Sequence, residues 1–233
     1  MSRGLLAHLR GHILLFDRKP VTNYEASAGL RLLLGAVAVE ALRLGLIKRL
    51  SPAVPLLILV PLFLVIALLW VRFLVGLRFS QIGFRPWHEW SATEKSYFVQ
   101  LLVIANVVFP LVFASRLQAV FGRADTLPTI LVVFVPYLFY GFYQEVVYRG
   151  MLQLELSRRW GAFAGILASN LLYTFGPLHW NYFSPLHIPM FASIFAIGLF
   201  FGILFRRSGN LWIVAIIHGI GNAYIVGSLG STT

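Results

Sequence analysis

Three short clusters in the C-terminal half could do chemistry: Gln144-Glu145-Val146-Val147-Tyr148-Arg149, Phe175-Gly176-Pro177-Leu178-His179 and His218-Gly219-Ile220-Gly221-Asn222. They bring a carboxylate, an arginine, two imidazoles and two amides into apolar sequence. Polar groups at membrane depth are costly, so they mark functional positions. A carboxylate with two imidazoles in one wet pocket can activate water or hold a metal.

Glu145 and Arg149 are spaced to share one helix face as an ion pair. Gln144 and Tyr148 share the neighbouring face, about 100° further round. His218 and Asn222 also lie one above the other on a helix, with Gly219 and Gly221 permitting close approach of a second helix. His179 is expected at the end of an apolar helix kinked by Pro177. Each cluster has a structural reading beside the chemical one. These are an ion pair locking two helices, a histidine at the membrane interface and a His/Asn hydrogen bond across a helix contact.

The elements that position these residues follow from composition. The chain has 233 residues, 59% hydrophobic and only 12% charged, with mean hydropathy +0.82. That apolar share exceeds the roughly 45–50% of soluble domains. Apolar runs near 29–47, 53–77, 97–121, 128–148, 161–179, 188–205 and 211–229 predict spanning helices, the fourth extending to about Leu156. Arg31, Glu40 and Arg43 interrupt the first run. The expected fold is an all-α polytopic transmembrane bundle of about seven or eight helices, read as a single membrane-embedded domain over 1–233. No alternating period-2 pattern suggests a barrel. The absence of cysteine removes disulfides, thiolate ligands and a thiol nucleophile.

The 19 Lys and Arg against 8 Asp and Glu give a net charge of +11. The basic residues gather at the ends of apolar runs: Arg3, Arg10, Arg18 and Lys19; Arg72, Arg78, Arg85 and Lys95; Arg158 and Arg159; Arg206 and Arg207. This is the positive-inside pattern of cytoplasmic loops and points to the lipid bilayer, with no nucleic-acid partner. The loop after His179, with Trp180, Tyr182 and Phe183, carries interfacial aromatics and faces the other side. Lys48 and Arg49 fit this scheme poorly and leave the first hairpin's orientation open. Leu5 to Phe16, broken by His8, Arg10 and His12, reads as a basic amphipathic helix on the cytoplasmic face rather than a signal peptide. The expected location is an integral, multi-pass position in a prokaryotic plasma membrane.

Measured from the basic ends at 1.5 Å per residue, Glu145 lies roughly 20 Å deep, His218 roughly 12 Å and His179 roughly 27 Å. Helix tilt and the Pro177 kink must narrow that spread for the clusters to share a cavity.

Together the three motifs resemble the CPBP intramembrane proteases, the family of type II CAAX prenyl proteases and Abi proteins. Its pattern is Glu-Glu-x-x-x-Arg, then Phe-x-x-x-His, then His-x-x-x-Asn or Asp. Arg149-Gly150 closes the first motif, Phe175 and His179 match the second, and His218 and Asn222 the third, with the likeness covering about 128–229. The resemblance implies an intramembrane endopeptidase of glutamic type acting on a membrane-associated protein or peptide, lipid-modified or C-terminally sorted. It implies that the first acidic residue and His179 activate water, His218 and Asn222 stabilise the oxyanion, and Arg149 positions the acidic pair, with Tyr148 and Phe175 in support.

The chain departs at the key position, where Gln144 stands in place of the family's first glutamate. An amide cannot take the proton from water. Impaired activity is expected of the chain with Gln144. Three readings fit the departure: an isosteric replacement made in an active enzyme, which is preferred; a variant whose base is Glu145; or a non-cleaving relative that binds a membrane segment or lipid. A transporter would also bury such residues, but would show two similar halves, and no internal repeat is visible. Glu145, His179 and His218 could make a two-His, one-carboxylate zinc site. No His-Glu-x-x-His element fixes two ligands on one helix, so non-metal chemistry without a cofactor is placed first.

Overall fold

The computed structural model describes residues 23–122, 126–180 and 183–226. The stretch read as an amphipathic helix, 5–16, and Tyr182 lie outside them. Every regular element among the described residues is a helix, with no strand among them. The helices are α1 Ala26–Leu50, α2 Leu56–Val75, α3 Ala92–Val112, α4 Ala114–Phe121, α5 Leu127–Trp160, α6 Ala162–Phe175, α7 Ile188–Ser208 and α8 Leu211–Val226. Each apolar run of the sequence has a helix along most of its described residues, in keeping with the all-α reading.

Among the described residues four segments are long and apolar enough to cross a membrane: α2, α3, α5 and Pro185–Ser208, the last containing α7. The shorter α6 and α8 are apolar but do not reach that length. The run near 97–121 does not form one helix. It breaks at Phe113 into α3 and α4, one turn after Pro110 withdraws a backbone donor.

Charges inside α1 are absorbed by its packing. Glu40 and Arg43 are buried and pair at 2.8 Å, and the Tyr143 hydroxyl of α5 donates to Glu40 Oε1 at 2.6 Å. At the other end of α1 the Tyr24 hydroxyl donates to Glu155, which also holds Arg158 and Arg159. α1 is thus tied to α5 just before its start and again past its middle by hydrogen-bonded charges, the form in which buried charges are tolerated.

The basic groups gather at one end of the bundle. Leu211 N donates to Gly83 O at 2.8 Å and Phe84 meets Trp212 edge-on at 4.7 Å, bringing the 78–96 loop beside the α7–α8 turn with Arg206 and Arg207. Within that loop Arg85 and Glu94 form a buried pair. Because α1 starts beside Glu155 at this end, its last turn with Lys48 and Arg49 lies at the opposite end, which is why those two residues depart from the charge pattern.

α5 is the helix on which the others assemble. α8 and α2 pack along its first part and α6 along its last turns, with Val146, Val147 and Met151 fully buried. Where α5 crosses α8, Gly141 sits against the backbone of Gly219, and a β-carbon at Gly141 would run into it. Only two glycines permit so close an approach. By contrast Gly45 faces open space, so Gly45→Ala is expected to leave stability unchanged or raise it by up to about 1 kcal/mol in thermal unfolding.

Candidate active site

The first cluster straddles a change of helix type. α5 is α-helical to Glu145, then π-helical over Val146–Gln153, then α-helical again. The π turns begin between Gln144 and Tyr148, so the face expected for both is divided. Gln144 turns to α8 and Tyr148 to α6. π segments inside α-helices are rare and concentrate at functional positions.

Glu145 is fully buried. Its Oε1 lies 2.5 Å from Nδ1 of His218, 73 residues away, and its Oε2 lies 3.3 Å from Nε of Arg149. Arg149 also donates through Nη2 to the Gly198 carbonyl of α7 at 3.0 Å. Beside this pair, Asn222 Nδ2 donates to Gln144 Oε1 at 2.7 Å. The motifs of α5 and α8 therefore meet twice, one turn apart, across the Gly141–Gly219 crossing. The different depths counted from sequence are closed by the way the two helices cross.

His179 is placed differently from expectation. α6 ends at Phe175 rather than kinking through Pro177, because a residue preceding proline is pushed out of the helical region, and Gly176 is extended at φ −86 and ψ −164. His179 lies in the turn beyond, half-buried, with its Nδ1 3.0 Å from the Tyr173 carbonyl. Its hydrogen bond goes to Tyr173, whereas those of Glu145 and Gln144 go to His218 and Asn222. The link is Tyr173, a residue the sequence reading missed: its hydroxyl is 3.1 Å from His218 Nε2 and its ring meets the His179 ring edge-on at 5.5 Å. Nothing in an apolar helix marks such a tyrosine except its place one turn before the histidine motif's loop.

The remaining named residues frame this centre. The Arg149 guanidinium sits 4.6 Å over the Tyr173 ring, and Tyr148 meets that ring edge-on at 5.4 Å. Phe175 stacks on Phe191 at 5.7 Å and walls an apolar cavity of about 740 Å³ with Phe183, Ile188 and Phe195. Burial penalises the imidazolium form of His179 and lowers its pKa below 6.5.

Among the described residues no three His, Cys, Asp or Glu side chains are gathered as metal ligands. The Glu145–His218 separation of 2.5 Å is a hydrogen-bond distance. Two ligands on one zinc ion at about 2.0–2.2 Å each stand further apart than that.

An all-helical bundle with membrane-length apolar helices and a carboxylate–imidazole–guanidinium centre at its core defines the class: an integral membrane protein with a polar site buried among its helices. Comparison with protein families makes this specific. Residues 126–224, the segment that holds all three motifs, match the family described as type II CAAX prenyl endopeptidase Rce1-like. No individual curated protein and no solved structure gave a match.

Proposed function

We propose that this protein is an intramembrane endopeptidase of glutamic type, working in a prokaryotic plasma membrane on a membrane-associated protein or peptide that is lipid-modified or C-terminally sorted. The observation that carries the reading is the Glu145–His218 contact, a carboxylate orienting an imidazole between two buried helices. A carboxylate on Nδ1 fixes the tautomer and ring plane of a histidine, as in hydrolytic triads.

In this reading a water attacks the peptide carbonyl with His179 as general base. Its Nδ1–H donates to the Tyr173 carbonyl, so Nε2 carries the lone pair that takes the proton. His218 and Asn222 face the carbonyl oxygen as it gains negative charge. Arg149 pairs with Glu145 and keeps its carboxylate aimed. Gln144 keeps the shape and the Asn222 hydrogen bond of a glutamate without its basicity, so His179 works without a carboxylate partner and turnover is slow.

The test compares the chain with its Gln144→Glu form in one host, by terminal-peptide mass spectrometry of the membrane fraction. New cleaved termini are expected with the glutamate form at about 10²-fold or greater yield, the contribution of a positioned general base. Silence from both forms, with each protein folded, overturns the reading in favour of a non-cleaving membrane-segment or lipid binder.

A pH dependence follows for residual cleavage by the Gln144 form. A base must be neutral, and burial holds the His179 pKa below 6.5, so activity is retained through pH 6.5 and lost only at lower pH. A pH–rate profile with its acid midpoint at or above 6.5 removes His179 from the base role.

A further inference from the structure

Tyr173 touches both histidines of the site through different atoms. Its backbone carbonyl accepts from His179 Nδ1 at 3.0 Å, and its phenol oxygen lies 3.1 Å from His218 Nε2. The side chain is buried and held on three sides: Arg149 over one face, with Tyr148 and the His179 ring meeting it at right angles. Little rotational freedom remains, so the hydroxyl direction is set by packing.

The protonation pattern of His218 follows from its partners. A carboxylate paired with a guanidinium can only accept, so Nδ1 of His218 carries the hydrogen of its contact with Glu145. In a neutral imidazole Nε2 is then an acceptor, and the group facing it must donate. The Tyr173 hydroxyl is that donor. The imidazole is clamped at both nitrogens, by a carboxylate from α5 and a phenol from α6, while α8 carries it.

We propose that Tyr173 is the positioning residue of this site, fixing His218 through its phenol and His179 through its carbonyl so that the two imidazoles keep one relative orientation. This rests on the proteolytic reading above for its consequence, and on geometry alone for the clamp itself. The phenol holds the neutral ring in its working plane; to donate to a substrate oxygen, as the proteolytic reading requires, Nε2 must gain a proton and the phenol must give up its place. Removal of the hydroxyl frees one edge of His218 and leaves His179 untouched, because the carbonyl remains.

The experiment uses full-length protein in lipid nanodiscs, with histidine labelled by ¹⁵N in the ring and the His218 signals assigned by their loss in His218→Gln. Tyr173→Phe is expected to move the His218 Nε2 resonance from a hydrogen-bonded to a free acceptor position while the His179 signals stay in place. In the Gln144→Glu background it is expected to lower the yield of new termini about tenfold, the worth of one buried hydrogen bond. Incorporation of 3-fluorotyrosine at position 173, which keeps the packing and makes the phenol a better donor, should shift His218 in the opposite sense. That measurement stands in if Tyr173→Phe fails to fold. An unmoved His218 signal overturns the clamp, and a moved signal with unchanged cleavage overturns its role in the reaction. A moved signal in a protein whose Gln144→Glu form cleaves nothing keeps the clamp and removes the protease.

Discussion

Glu145→Ala is expected to abolish cleavage and to lower stability by about 3–5 kcal/mol, the typical cost of removing one partner from a buried ion pair. Glu145 and Arg149 are both essentially inaccessible, so neither group can turn to water when the other is lost. Arg149 would keep only the Gly198 carbonyl and the face of Tyr173, which leaves a guanidinium charge uncompensated among helices. His218 would lose the acceptor that sets its tautomer.

Two companion variants separate charge from shape. Glu145→Gln retains an oxygen for His218 Nδ1 and most of the packing, so it should fold while cleaving poorly. The double variant Glu145→Leu with Arg149→Met removes both charges and should regain much of the stability without regaining activity, since apolar replacement of a whole buried pair is often neutral or stabilising. Thermal unfolding in detergent and terminal-peptide yields in the Gln144→Glu background read the two effects. Full cleavage by Glu145→Ala would remove this carboxylate from the mechanism.

Gly141→Val is the second large effect. The α5–α8 crossing brings glycine against glycine, and a β-carbon at Gly141 meets backbone atoms of Gly219 and His218 rather than a flexible side-chain end. Backbone cannot yield as a side chain does, so the helices must separate. A loss of at least about 3 kcal/mol is expected, at the upper end of overpacking penalties. Separation would also stretch both cross-helix contacts of the site, Glu145–His218 and Gln144–Asn222. The variant should therefore lose cleavage even where it folds. Gly45→Ala, made where there is open space, is the control for the substitution itself. A Gly141→Val protein with unchanged melting temperature would mean that α5 and α8 do not cross this closely.

Both expectations depend on features read with very different ease from the chain. The apolar runs are strong signals because a helix in lipid must satisfy its own backbone and present apolar side chains outward. Seven runs therefore gave helices, and the motifs on α5 and α8 could be placed on helix faces by period alone. The break at Phe113, the stop at Gly176 and the π turns after Glu145 depend on local backbone geometry. A proline or glycine can kink a helix, end it or be tolerated, and packing decides which.

What the sequence determined by itself is the solvent, the helical class and the identity of the polar residues at three points of an apolar chain. Pairs such as Glu145 with Arg149 follow from helical spacing, because neighbours four apart share a face whatever the helix packs against. Only the tertiary structure decided that Glu145 takes His218 while Gln144 takes Asn222, that Tyr173 stands between the two histidines, and that Glu40 and Arg43 of α1 are answered by Tyr143. The physical reason is register. Depth along a helix can be counted from sequence, but the tilt and crossing of two helices come from side-chain packing and glycine contacts. A shift of one residue is enough to exchange one hydrogen-bond partner for another.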